Sequence, residues 1–229
     1  MVDYTGDFSD VSAIDLGAAA AKEAVRRSKF SPEEFDQVFM GNALQTSPDA
    51  IYGARHVGLK AGLPIGVPAL TVNRLCGSGV ESIAQAARSI LLGEAEVVLA
   101  GGMENMTQAP HVMWGLRKGL GLGEGKLQDL LWASLKDPVC GFMMAETAEN
   151  LARENKIARR DQDELALASQ KRALAAGEAG KFKEEIVPVE IKTRKGPKVV
   201  DKDTHPRDTT LEALEKLPAY FSKDGFVTA

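Results

Sequence analysis

The chain has 229 residues, 44% of them hydrophobic, and a formal charge of −4, enough apolar side chain to bury a sizeable core in one large domain or two smaller ones. No window nears the roughly 18 uninterrupted apolar residues of a bilayer span, and the N-terminus lacks a basic segment followed by an apolar one. No membrane association is therefore expected, and the cytoplasm is the expected compartment. The two cysteines, Cys76 and Cys140, have no zinc-site spacing and can close at most one disulfide, so two free thiols and no metal are expected.

In chain order, Asp10 or Ser12 caps an alanine-rich helix that runs to about Ser28. Ser31-Pro32-Glu33-Glu34 reads as a short helical turn with proline at its first position. Gln37-Val38-Phe39-Met40-Gly41 reads as a buried strand, Asp49 to Gly62 as a helix closed by a glycine, and Pro68 to Val72 as a second strand. A further helix follows, with small or apolar residues at Ile83, Ala84, Ala87, Ile90 and Leu91. Glu96 to Gly102 then reads as a fully buried strand of the kind found in parallel sheets. Strand and helix alternate, which predicts an α/β layered fold.

Between Pro110 and Gly141 glycines are scattered at Gly115, Gly119, Gly121, Gly123 and Gly125, without the spacing of a phosphate loop or a dinucleotide fingerprint. Trp114 and Trp132 lie in this stretch, and buried core is the commoner fate of such residues. Two helices are predicted over Gly141 to Lys156 and Arg160 to Ala179, the second with apolar residues at Leu165, Leu167, Ala168 and Leu174. Glu185 to Lys192 reads as a strand that turns at Lys195-Gly196-Pro197 into Lys198-Val199-Val200. From Lys171 to Lys202 there are nine Lys or Arg against five Asp or Glu, so this segment is basic in an acidic chain. A solvated face and a phosphate-bearing ligand both suit it, whereas a nucleic-acid partner is not expected, because the overall charge repels a polyanion and no aromatic platform is interleaved.

The chemistry concentrates in Val72-Asn73-Arg74-Leu75-Cys76-Gly77-Ser78-Gly79, where a cysteine sits between a strand and a helix. Helix N-termini carry unpaired N–H groups and a partial positive charge, which favour a thiolate there. Gly77 and Gly79 remove side chains beside it, as in the nucleophile elbow of hydrolases. By local pattern alone Cys76 is either a small buried residue or a nucleophile.

The longer text resembles the thiolases, whose nucleophile lies in a Val-Asn-x-x-Cys-Gly-Ser-Gly segment. Met40-Gly41-Asn42, Ala100-Gly101-Gly102-Met103-Glu104-Asn105-Met106, Thr147-Ala148-Glu149-Asn150 and Val227-Thr228-Ala229 carry the resemblance along nearly the whole chain. Asp49-Ala50-Ile51-Tyr52 with Ala54 to Leu59, Leu131-Trp132-Ala133-Ser134-Leu135 and Thr209-Thr210-Leu211-Glu212 make it nearer to the 3-ketoacyl-CoA thiolases of β-oxidation than to the biosynthetic type. The resemblance implies the N-terminal half of a thiolase, with a mixed sheet covered by helices over residues 1–109 and an α+β loop domain with a tetramer-forming excursion over 110–229. In the family a further strand precedes the point at which this chain begins.

What the resemblance implies for activity is an acyltransferase that cleaves 3-ketoacyl-CoA by way of an acyl-Cys76 intermediate, with coenzyme A as substrate and no cofactor. Backbone N–H groups of the Cys76–Gly77 turn would face the thioester oxyanion. Met143, Met144, Arg207, Leu217 and Phe221 match acyl-pocket and CoA-channel positions. The biosynthetic type has Tyr-His-Met where Phe142-Met143-Met144 stand, so Met143 either favours an apolar acyl chain or only packs. The family's Asn-Glu-Ala-Phe, Gly-His-Pro and late cysteine motifs have no counterpart here, and none of His56, His111 and His205 lies in its histidine motif. The expected partners are therefore acyl-CoA, further copies of the chain and a separate C-terminal half. An acetoacetyl-CoA-forming acetyltransferase, a non-catalytic CoA-binding or interaction subunit, and the product of a disrupted gene are the other readings.

Overall fold

The computed structural model describes residues 1–123 and 125–228. Glu124 of the glycine-rich stretch and Ala229, the last residue of the Val-Thr-Ala match and of the 110–229 segment, lie outside the described residues. Contacts divide the chain into two compact units. One comprises Val2–Pro110 with Val187–Lys202, and the other Met1, His111–Ile186 and Asp203–Ala229. Where the sequence drew one boundary at 109/110, the contacts also group residues 187–202 with the first unit.

The first unit is built on three parallel strands, β1 (Gln37–Gly41), β2 (Ala69–Val72) and β3 (Val98–Gly102), in the order β2-β1-β3. The mixed sheet expected from the family resemblance is thus wholly parallel among these strands. Helix α1 (Ala13–Ser28) starts at Ser12, whose hydroxyl accepts the Asp15 N–H at 3.0 Å, so the cap is Ser12 and not Asp10. Its buried face of Ala13, Ile14, Ala18, Ala21 and Val25 packs against α2 (Gly53–Ala61), which ends at Gly62 with φ +98. Pleating sends Val38 and Met40 of β1 into the core that these helices share with Val57, Leu63 and Leu99.

The opposite face of the sheet is covered by α3 (Ser78–Leu91), which buries Ser78, Ser82, Ala86 and Ser89. The apolar stripe noticed in the sequence points outward, with Ile83 61%, Ile90 47% and Leu91 85% exposed. The reason is close approach. A Cβ on Gly41 would lie 2.5 Å from the carbonyl carbon of Ser78, so only a glycine lets the start of α3 sit this near β1. The fully buried Ser82 hydroxyl lies 2.7 Å from both Gly79 O and Gly101 O, tying α3 to β3. β3, expected to be fully buried, is only partly covered. A hairpin of β6 (Val189–Thr193) and β7 (Gly196–Val200) completes this unit, with Ile191 and Val200 buried and Lys198 Nζ 2.6 Å from Asp7 Oδ1.

In the second unit, β4 (His111–Val112) and β5 (Gln128–Asp129) form a two-residue ladder before the short α4 (Leu130–Ser134). Trp114 and Trp132 are 68% and 53% exposed, which corrects the expectation of buried core; the Trp114 indole instead donates to Gln128 Oε1 at 2.6 Å. Helices α5 (Met144–Glu154), α6 (Arg159–Glu178) and α7 (Leu211–Glu215) follow, with α7 packed on α6. Leu165 of α6 is exposed, and the residue that α6 buries is Asp163, held by both carboxylate oxygens to Arg159 Nε at 2.9 Å.

Candidate active site

The turn from β2 to α3 is held by side chains on either side of Cys76. Asn73 Oδ1 accepts the Leu75 N–H at 2.9 Å, and Asn73 Nδ2 donates to Ala43 O at 3.0 Å. Leu75 has φ 49, a left-handed conformation that is unfavourable for a branched side chain, so the Asn73 contact offsets a local penalty. The Ser78 hydroxyl accepts the Arg74 N–H at 2.9 Å and donates to Leu75 O at 2.6 Å. Cys76 therefore leaves the turn immediately before Gly77, the N-cap of α3, and both it and Cys140 are exposed free thiols. The Gly77 N–H is engaged by Arg74 O at 3.0 Å.

Behind the turn, Glu104 receives the Ala43 N–H at 2.8 Å, the Leu44 N–H at 3.1 Å and Asn42 Nδ2 at 2.9 Å. Burial pushes its carboxyl above the ordinary range, against these donors, which pull it down. On the helix side Arg74 and Arg88 each reach Glu81 at 2.9 Å, and Arg88, Gln85 and Arg74 together hold that carboxyl below its usual range. His56 Nδ1 lies 3.0 Å from Asp49 Oδ2, and its ring stacks on Tyr52.

An open cleft of about 560 Å³ on the same unit is lined by Asp10, Asp15, Thr46, Asp49 and Lys60, and not by the Cys76 turn. Its lining holds carboxylates, hydroxyls and Lys60 but no thiol. The other residues singled out in the sequence belong to the second unit. Met143 is the N-cap of α5, its N–H donating to Glu146 Oε2 at 2.7 Å, and Met144 opens that helix half exposed. The exposed Arg207 donates its backbone N–H to Gln170 Oε1 at 3.0 Å, Leu217 ends the turn after α7, and Phe221 packs edge to face on Tyr220. Among the described residues no hydrogen bond, ion pair or ring contact joins these five to one another. The basic Lys171–Lys202 stretch is shared between the two units and is not one face of a single domain.

Sequence reading assigned no role to Asn73, Ser78 or Glu104. An asparagine two residues before a turn position is a recognisable signal for an Asx turn. Glu104 has no local signal, since its partners lie about sixty residues earlier in the chain.

A cysteine exposed at a constrained strand-to-helix turn, on a three-stranded parallel sheet, is the arrangement of a nucleophile presented from an α/β scaffold. The model of the thiolase N-terminal domain matches residues 1–229, and the chain belongs to the thiolase family. It is 53% identical over 228 residues to the human mitochondrial 3-ketoacyl-CoA thiolase, covering 99% of this chain and 57% of that relative. A crystal structure of human mitochondrial 3-ketoacyl-CoA thiolase superimposes with a TM-score of 0.95 at 52% identity, over 98% of this chain and 57% of that one. A second, of the human enzyme in complex with CoA, superimposes with a TM-score of 0.91 at 51% identity, over 98% and 56%. The chain thus spans a little over half the length of the relatives it matches.

Proposed function

We propose that this chain is the nucleophile-bearing half of a 3-ketoacyl-CoA thiolase and acts together with a C-terminal half, on a second chain or as a continuation of this one. The observation that carries the reading is the exposed Cys76 thiol on its constrained turn before α3, in a chain 53% identical to a named 3-ketoacyl-CoA thiolase. The Cys76 thiolate attacks the ketone carbon of the substrate and forms a tetrahedral oxyanion. Its collapse breaks the bond between the α and β carbons, and the electron pair leaves on acetyl-CoA as its enolate, which takes a proton. The thiol of free CoA then attacks the acyl-Cys76 thioester and releases the Cys76 sulfur. Because the Gly77 N–H is already engaged by Arg74 O, the Cys76 N–H is the donor of this turn assigned to the thioester oxygen.

The outward stripe of α3, with Val80, Ile83 and Leu91 exposed, supports a partner for that face, since monomers rarely leave a large contiguous apolar patch in water. CoA is a substrate here and no cofactor is required. Met143, Met144, Leu217 and Phe221 line the acyl and pantetheine path in this proposal, and Arg207 meets the adenine end. Residues 1–109 supply the nucleophile and 110–229 the CoA-binding and oligomer-forming region. The cytoplasm belongs to the same proposal, and cell fractionation decides between it and the mitochondrion that the human relative's name records.

The test is intact-mass analysis of the purified chain with acetyl-CoA, alone and with a C-terminal half. Acetylation of Cys76 without thiolysis supports a half-site enzyme, and turnover with the added half supports a split one. Neither outcome would leave a non-catalytic CoA-binding or interaction subunit.

A further inference from the structure

We propose that Asn73 is the positioning residue for the Cys76 nucleophile, and that Glu104 acts behind it by holding the loop on which Asn73 leans. This rests on the reading of Cys76 as the acyl carrier.

The connection is continuous. Three N–H donors, from Asn42 Nδ2 and the backbones of Ala43 and Leu44, converge on the Glu104 carboxylate, which fixes the loop after β1. That loop turns the Ala43 carbonyl toward Asn73 Nδ2 at 3.0 Å. With its amide nitrogen anchored, Asn73 directs Oδ1 to the Leu75 N–H at 2.9 Å. Leu75 carries φ 49, so the residue directly before the nucleophile stays in the left-handed region against its own preference. Releasing Leu75 to an ordinary negative φ redirects the chain at Cys76 and moves both its sulfur and its N–H. Asn42, itself buried, also donates to Met103 O at 3.0 Å, which joins the loop after β1 to the end of β3. A misplacement of the nucleophile on the scale of 1 Å costs about a hundredfold in a positioned reaction, so the turn has leverage on rate out of proportion to its stability.

The experiment uses the full chain and acetyl-CoA as probe. It follows Cys76 acetylation by peptide mass and Leu75 amide exchange by deuterium uptake, with the denaturant midpoint as a check on folding. For Asn73→Ala the expected result is a fall in acetylation of about tenfold to a hundredfold with faster Leu75 exchange. Asn73→Asp, which keeps the acceptor for Leu75 but sets a carboxylate oxygen against Ala43 O, recovers only part of the rate. Adding Leu75→Gly to Asn73→Ala also recovers rate, because glycine needs no support at positive φ. Glu104→Gln, which offers one acceptor oxygen instead of two, gives an intermediate loss. Acetylation and Leu75 exchange both within about twofold of the parent in Asn73→Ala overturn the proposal, as does a loss that neither Asn73→Asp nor Leu75→Gly repairs. If the parent chain is acetylated neither alone nor with a C-terminal half, while Leu75 exchange still responds to Asn73→Ala, the acyl-carrier reading falls and the holding of the turn stands.

Discussion

The two units of the chain hold themselves together by different means. In the unit of Val2–Pro110 and Val187–Lys202, Ile14, Val25, Phe35, Val38, Val57, Leu63 and Leu99 form one buried apolar cluster under α1 and α2. In the other, Ala152 is the buried hydrophobic residue among those described, and the remaining buried side chains are the charged Glu149 and Asp163. There a carboxylate stands where a leucine would be expected. Glu149 is 1% exposed and accepts the Phe226 N–H at 2.8 and 3.0 Å and the Val227 N–H at 2.8 Å, while Arg153 lies 3.6 Å away. Asp163 is held by Arg159, whose guanidinium also reaches Leu214 O at 2.5 Å and so pins the end of α7. Burial of oily surface tolerates small displacements, whereas a latch of this kind fails when one partner is removed.

The largest expected effect is in the apolar unit. Ile14 is 1% exposed within the cluster, so Ile14→Ala should destabilise by about 2–5 kcal/mol through lost transfer energy and the cavity left behind. Ile83→Ala, the same change on the outward face of α3 where the side chain is 61% exposed, should shift the denaturant midpoint by less than about 0.5 kcal/mol equivalent. Equal losses at the two positions would mean that the exposed stripe is packed in solution. Running the pair again with a C-terminal half present sharpens the contrast, since only then should Ile83 become costly to truncate.

Those two isoleucines also mark how far the sequence could be read. Strands at Gln37–Gly41 and Val189–Thr193, the latter beginning four residues after the expected Glu185, are legible because apolar and β-branched residues cluster between turn formers, and the helix ends follow from Ser12 and Gly62. The stripe of Ile83, Ile90 and Leu91 announces an amphipathic helix, but periodicity does not say whether the apolar side meets this chain's own sheet. That is decided by Gly41 and Gly102, paired across β1 and β3, where a Cβ would lie 2.5 Å from the Ser78 carbonyl carbon and 3.7 Å from Gly79 Cα, so the helix meets the sheet with a face of serine and alanine. Tryptophan at 114 and 132 misleads for a related reason, since its preference for burial presumes a core and the second unit has little. At the candidate site the cysteine motif is legible and its support is not, because the left-handed Leu75 carries no residue signal and Glu104 acts on a loop distant in sequence.

The latch in the second unit should give the next largest effect. Glu149→Gln keeps the shape and, with its oxygen at the Oε1 position, still accepts the Phe226 and Val227 N–H groups, but sets a buried NH2 against the Phe226 N–H with no acceptor, at a cost of about 1–3 kcal/mol. The amides of Phe226 and Val227 should then exchange faster while those of β1 are unchanged, which hydrogen exchange with peptide resolution can read. Faster exchange in β1 as well would mean that the core depends on the latch.

The smallest effect tests surface charge. Glu23 of α1 pairs with Arg26 and Arg27, each at 2.6 Å, and these guanidiniums lower its carboxyl from 4.5 to about 2. A depressed carboxyl stabilises the folded state above its unfolded value and loses that contribution as pH falls, so the pairs should persist through pH 4.5 and break as pH approaches about 2. Carboxyl-carbon NMR should follow this midpoint directly. Glu23→Gln should leave the denaturant midpoint at neutral pH almost unmoved, because solvent and salt screen an exposed pair. A loss from Glu23→Gln as large as that from Glu149→Gln would mean that charge on the surface of the apolar unit matters as much as charge buried in the other, and would remove the contrast between them.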